Sequence, residues 1–173
     1  IIHTFFKDHQ NKIWIGSYRN GLLSLNISDK NRFYMDDYGN INKKLSNQAI
    51  RHLFLHNKTL WIGTENGLNR LNLNNYTITQ HFHSENRNIT LPQDQINFIY
   101  QSKNDNYLWV GTKGGLKKFN PVTMDYMMYH DNDSGDLSLS SDYITSITSY
   151  DENKIWVGTN SGLNLIDIEK ETS

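Results

Sequence analysis

The sequence predicts an all-β fold, a β-propeller built of four-stranded antiparallel blades, and three observations carry that prediction. One motif is written four times, as Trp14-Ile15-Gly16-Ser17, Trp61-Ile62-Gly63-Thr64, Trp109-Val110-Gly111-Thr112 and Trp156-Val157-Gly158-Thr159. Each copy is followed by a second glycine (Gly21, Gly67, Gly115, Gly162) and then a leucine. These are all four tryptophans of the chain, recurring at intervals of about 47 residues, a period that suits propeller blades and not the coils of a β-helix. Finally, every copy sits among short apolar runs separated by turns rich in Asn, Asp and Gly. About four blades are expected, approximately at 1–45, 46–91, 92–139 and 140–173, the last of them incomplete.

Within each repeat the first strand, A, is marked by two apolar residues three apart: Ile2 and Phe5, Ile50 and Leu53, Ile96 and Ile99, Ile144 and Ile147. A leucine precedes this pair in three repeats (Leu45, Leu91, Leu139) and is expected to plug the loop that leads into strand A. Strand B carries the tryptophan between two aliphatics, as in Leu60-Trp61-Ile62. Side chains alternate faces along a strand, so both faces of strand B should be buried, as in a sheet sandwiched between like sheets. The glycine two residues after each tryptophan allows a bulge or the close approach of a neighbouring blade. The second glycine falls in the turn from B to C, where a positive φ costs little.

Strand C places apolar residues four and six positions after that second glycine, as in Leu71 and Leu73 or Ile166 and Ile168. In the third repeat Pro121 should end it one residue early. Strand D is more polar (Arg32–Asp37, Thr77–His83, Asp125–His130), which suits an edge that must discourage pairing. The chain opens at Ile1 without a methionine and stops at Ser173, where the fourth strand D is due. A piece of a longer protein is therefore expected.

Composition excludes several functions. The 173 residues carry a net charge of -1, so there is no basic footprint for nucleic acid or an anionic membrane. No apolar run is long enough for a membrane helix. The absence of cysteine removes disulfides, thiolate metal sites and cysteine nucleophiles together.

The combination of Leu-Ser, then Leu-Trp-Ile-Gly-Thr-x-x-Gly-Leu, then a strand ending in Asn or Asp resembles the two-component regulator propeller repeat. Residues 45–73, 91–120 and 139–168 match it well, and residues 2–27 match with one extra residue before Gly21. The resemblance implies the periplasmic sensor region of a hybrid histidine kinase and response regulator, with seven-bladed rings of which this chain would hold part. It implies an oligosaccharide ligand, no cofactor and no catalysis by these residues. The partners it implies are the remaining blades and domains of the parent sensor, and exposed blade faces could also pair copies of the chain. A free-standing propeller lectin or interaction scaffold is the alternative, with a propeller lyase behind it.

Candidate ligand contacts are sought where the repeats differ, since shared residues build the scaffold and variable ones can specialise. The tips of the B to C turns offer Tyr18, Arg19, Asn20, Glu65, Asn66 and Lys113. Strand A offers His3, Arg51, His52 and Asn97, which could face a central channel. The tryptophans and the two glycine series are assigned to the repeat core, since their place on a doubly buried strand outweighs a stacking role. No metal site is assigned: His81 and His83 lack a third ligand, and Asp131–Asp136 departs from a calcium-binding loop in the place of its glycine. Ser, His and Asp are present without a local catalytic signature to join them.

Overall fold

A computed structural model describes residues 1–8, 10–29, 32–37, 39–81, 95–102, 106–131 and 137–170. The chain divides into two compact units, Ile1–Gln95 and Ile96–Ser173. Each unit holds two antiparallel meanders in which strands consecutive in sequence are neighbours in the sheet.

The first unit contains sheet I, made of β1 (Ile2–Lys7), β2 (Lys12–Ser17), β3 (Leu22–Asp29) and β4 (Arg32–Asp37). A short helical turn, α1 (Gly39–Asn42), leads into sheet II, made of β5 (Ile50–His56), β6 (Thr59–Thr64), β7 (Gly67–Asn72) and β8 (Thr77–His81). In the second unit, sheet III comprises β9 (Ile96–Tyr100), β10 (Leu108–Thr112), β11 (Gly115–Phe119) and β12 (Tyr126–Tyr129). Sheet IV comprises β13 (Ile144–Ser149), β14 (Lys154–Thr159) and β15 (Leu163–Asp167). The described residues thus contain fifteen strands, and β11 ends one residue earlier than β7 relative to its glycine, just before Asn120-Pro121.

Strand B is buried on both faces in sheets II and III, and at Trp14 and Ile15 of sheet I, whereas in sheet IV Trp156 is only partly buried. Trp14, Trp61 and Trp109 are 1%, 2% and 0% exposed, and the aliphatics beside Trp61 and Trp109 are equally enclosed. Within the first unit, Trp14 and Leu22 of sheet I form one core with Ile50, Leu53, Leu60, Ile62 and Leu71 of sheet II. Within the second, Trp109 and Leu116 of sheet III join Ile144, Ile147, Ile155, Val157 and Ile166 of sheet IV. In each unit the first strand of the later sheet therefore packs against the first two strands of the earlier one. Leu45 and Leu139 are buried in these cores as plugs, joined by Ile41 from α1, which the sequence did not announce. Leu91 lies outside the described residues.

The close approach expected at the tryptophan-linked glycines is present. A Cβ on Gly111 would lie 2.6 Å from Ile144 Cγ2, and the neighbouring strand occupies the space that glycine leaves. In the B to C turns, Gly67 and Gly115 adopt φ of 112° and 127°, which only glycine enters without strain. Gly162 does not adopt a positive φ.

A polar lattice fixes the turns. In sheet II, Thr64 Oγ1 donates to Gly67 O (2.8 Å) and accepts from Asn66 N (3.2 Å), while its hydroxyl also meets Ser46 Oγ at 3.0 Å. Asn69 closes the lattice: its Oδ1 accepts from Ser46 N (2.9 Å), and its Nδ2 donates to Ser46 Oγ (2.8 Å) and Ile62 O (3.3 Å). Sheet IV repeats the pattern with Ser140, Thr159 and Asn164. The Leu-Ser, Gly-Thr and Gly-Leu-Asn signatures are thus three parts of one hydrogen-bonded clasp.

Candidate functional site at the bulge and turn rim

In every sheet the register slips by one residue inside the first strand. Ile50 pairs with Thr64 but His52 pairs with Gly63, and Ile96, Phe98, Thr112 and Gly111 are related in the same way. Sheets I and IV repeat the slip between Ile2 and Thr4 and between Ile144 and Ser146. The residue passed over, His3, Arg51, Asn97 or Thr145, is the extra residue of a β-bulge. This accounts for the three-residue spacing of the apolar pair. Strict alternation would turn residues three apart to opposite faces, and one extra residue restores them to the same face.

The bulge corrects the sequence reading of strand A, which treated the two residues between the apolar pair alike. His3, Arg51 and Asn97 are bulge residues, whereas His52 is paired opposite Gly63 and partly buried. Burial lowers the His52 pKa to about 4, so the imidazole is neutral at physiological pH.

The bulge residue meets the first residue of the B to C turn. Arg51 Nη1 donates to Glu65 Oε1 at 2.6 Å, with both side chains about a quarter exposed. In sheet I the same two positions are His3 and Tyr18, whose rings are 5.4 Å apart and tilted by 46°. The backbone supports this meeting, because the turn residue donates its N–H to the carbonyl just before strand A. The pairs are Tyr18 to Ile1 (3.0 Å), Glu65 to Ala49 (3.0 Å) and Asn160 to Tyr143 (3.1 Å). In sheet III, Asn97 turns to the neighbouring sheet, donating from Nδ2 to Ile144 O at 2.8 Å.

The structure therefore joins His3 to Tyr18 and Arg51 to Glu65, on adjacent sheets of the first unit. Arg19, Asn20 and Lys113 are exposed at turn tips, and Asn66 is partly buried, with its N–H held by Thr64. Such a rim presents a cation, an anion, an imidazole and a phenol from positions that the repeat leaves free to vary. Chemically it can offer hydrogen bonds and an aromatic face; the described residues contain no group of three or more His, Asp or Glu placed to hold a metal. His83 and residues 132–136 lie outside the described residues, as does the side chain of His81.

No family model and no curated protein matches the chain. Solved structures do. Two are extracellular domains of putative hybrid two-component systems from B. thetaiotaomicron, with TM-scores of 0.75 each at 22% and 23% identity. Each is matched over 99% of this chain and 21% of its own length. A third is PorZ, a bacterial surface component of the type-IX secretion system of Porphyromonas gingivalis, with a TM-score of 0.68, 19% identity, and 96% and 26% covered. At these identities the likeness is one of fold, and the chain spans about a fifth to a quarter of these neighbours.

Proposed function

We propose that this chain is part of the extracytoplasmic, periplasmic ligand-sensing region of a hybrid two-component sensor, that it recognises an oligosaccharide, and that it performs no catalysis itself. The observation that carries the reading is the rim. A clasp repeated in sheets II and IV holds the turn in place, while the bulge and turn-tip pair changes chemistry from His3 and Tyr18 in sheet I to Arg51 and Glu65 in sheet II. The fold likeness to the extracellular domains of putative hybrid two-component systems supports the assignment. Ligand binding would drive signalling only through a difference in affinity between two arrangements of the sensor.

The four sheets belong, in this reading, to a larger seven-bladed ring. In support, Ile2 and Phe5 are 62% and 75% exposed, while Ile50 and Leu53 at the same repeat positions are buried under neighbouring strands. Leu163 is 63% exposed, whereas Leu22, Leu68 and Leu116 are fully buried.

A panel of oligosaccharides released from plant and host polysaccharides, titrated into the purified chain by calorimetry, tests the reading. Binding of one panel member without its hydrolysis, weakened tenfold or more by Arg51→Ala or Tyr18→Ala, is expected. Binding unaffected by both substitutions removes the rim as the site, and cleavage of the bound sugar removes the sensor reading.

A further inference from the structure

At the ends of sheets I and II away from the rim, the turns between β1 and β2, between β5 and β6, and between β7 and β8 enclose a cleft of about 410 Å³ within the first unit. Its volume is in the range of small-molecule sites, and none of its residues belongs to the rim.

The charged groups of its walls are answered within the protein or by water. Asp8 Oδ1 accepts from Gln10 N (2.8 Å) and Lys12 N (3.0 Å), and Oδ2 accepts from the Trp14 indole Nε1 (2.9 Å). Lys12 Nζ stands 5.0 Å from the centre of the Trp14 ring, so the indole is held by a carboxylate at its edge and a cation over its face. Lys58 is exposed, where an ammonium stays hydrated. Walls that carry both signs in this way give no net preference to an anion or a cation.

The groups left open are neutral. Among the described residues, no hydrogen bond engages the carboxamides of Gln10 and Asn74, and each offers the cleft both donors and an acceptor. Leu55 and Leu73 line the cleft with apolar surface, and Tyr76, 46% exposed, adds an aromatic ring. The Tyr76 backbone is held at φ 54°, a left-handed conformation that asparagine enters more easily, and its counterpart in the turn of sheet III is Met124 at φ 68°. The turn therefore sets the backbone in both sheets, while the aromatic ring belongs to the sheet that borders the cleft.

We propose that this cleft binds one neutral hexose ring. Neighbouring hydroxyls meet the carboxamides of Gln10 and Asn74, which pair a donor with an acceptor as a diol does, and the C–H face of the ring lies on Tyr76 and Leu73. A charge on the sugar would meet a like charge in the wall whichever its sign, Asp8 for a carboxylate and Lys12 for an ammonium. A carboxylate would gain an opposite charge at Lys58, where water screens the attraction. A ring without hydroxyls would leave the carboxamides facing apolar surface. The site is separate from the oligosaccharide rim and stands whether or not that reading does.

Calorimetric titration of the chain with the methyl glycosides of D-glucose, D-galactose and D-mannose, and with D-glucuronate and D-glucosamine as charged counterparts, tests it. At least one neutral ring is expected to bind with a dissociation constant in the millimolar range, and the charged rings no more tightly. Asn74→Ala removes one carboxamide from an exposed turn and is expected to weaken that ring about three- to tenfold. Tyr76→Asn removes the aromatic ring in favour of a residue that accepts the left-handed backbone, and about a tenfold loss is expected. Unchanged thermal midpoints would verify that both variants stay folded. Arg51→Ala at the rim should leave hexose binding as it was, which separates failure here from failure of the rim. No binding by any of the three neutral rings, a charged ring bound tenfold more tightly than the best of them, binding unmoved by either cleft substitution, or binding lost in Arg51→Ala would each overturn the proposal.

Discussion

Ile50 occupies the space a side chain on Gly16 would need. A Cβ on Gly16 would lie 2.5 Å from Ile50 Cγ2 and 2.7 Å from Thr4 Cγ2, and the same relation holds between Gly111 and Ile144. At Gly158, by contrast, the nearest atom is Ser146 Oγ, the end of a small side chain that can rotate away. Gly111→Ala should therefore cost about 1–3 kcal/mol through overpacking, and Gly158→Ala clearly less. Urea denaturation of both variants would show it; equal losses would mean that backbone freedom, not contact, explains the glycine.

The clasp predicts a second asymmetry. Asn69 is fully buried and makes three hydrogen bonds, two of them to Ser46. Replacing it with Ala leaves Ser46 N without its acceptor and removes the buried carboxamide from the clasp, at a cost of about 1–3 kcal/mol. Asn164 makes the equivalent bonds in an exposed setting, where water can substitute, and Asn164→Ala should cost about 1 kcal/mol or less. Thermal unfolding of the two variants would rank them.

His52 gives the chain a dependence on pH. Its folded pKa of about 4 lies below the ordinary 6.5, so the unfolded chain takes up the proton first as pH falls. The stability associated with a neutral His52 is complete above about pH 6.5, declines between there and pH 4, and amounts to roughly 3 kcal/mol. His52→Phe should flatten that segment of the stability curve. An unchanged slope between pH 6.5 and 4 in the variant would show that other groups cause it.

Arg51 and Glu65 are a half-enclosed pair, and a double-mutant cycle between Arg51→Ala and Glu65→Ala should return a coupling of about 0.5–1 kcal/mol. The coupling should shrink as salt is raised from low to molar concentration. A value near zero at low salt would mean that the pair positions side chains without stabilising the sheet.

Much of this fold was legible because the repeat compares the chain with itself. The tryptophan-centred strands follow from apolar residues on both faces, and Pro121 stops β11 because it cannot continue the ladder. The bulge was legible only in part: the glycine after each tryptophan allowed one, but nothing showed that the extra residue would come from strand A. The spacing of Ile50 and Leu53 was plain, but spacing alone does not say whether a strand twists or inserts a residue to bring them to one face. For the same reason His52 and Arg51 read as equals, although one is enclosed and the other reaches Glu65. Helix α1 was hidden by Gly39-Asn40-Ile41-Asn42, four poor helix formers that are tolerated where Ile41 is buried in the core.

The bulge also separates two kinds of evolutionary freedom. A residue in the ordinary alternation of a strand must answer to the core on one face or to its neighbour across the ladder. The residue at position 3, 51 or 145 answers to neither, because the register steps over it, whereas Asn97 is tied to Ile144 O of the next sheet. Each duplication of the blade therefore copies a vacancy in the rules along with the scaffold. A chain of such blades can acquire a new recognition surface one position at a time, without renegotiating how any blade folds.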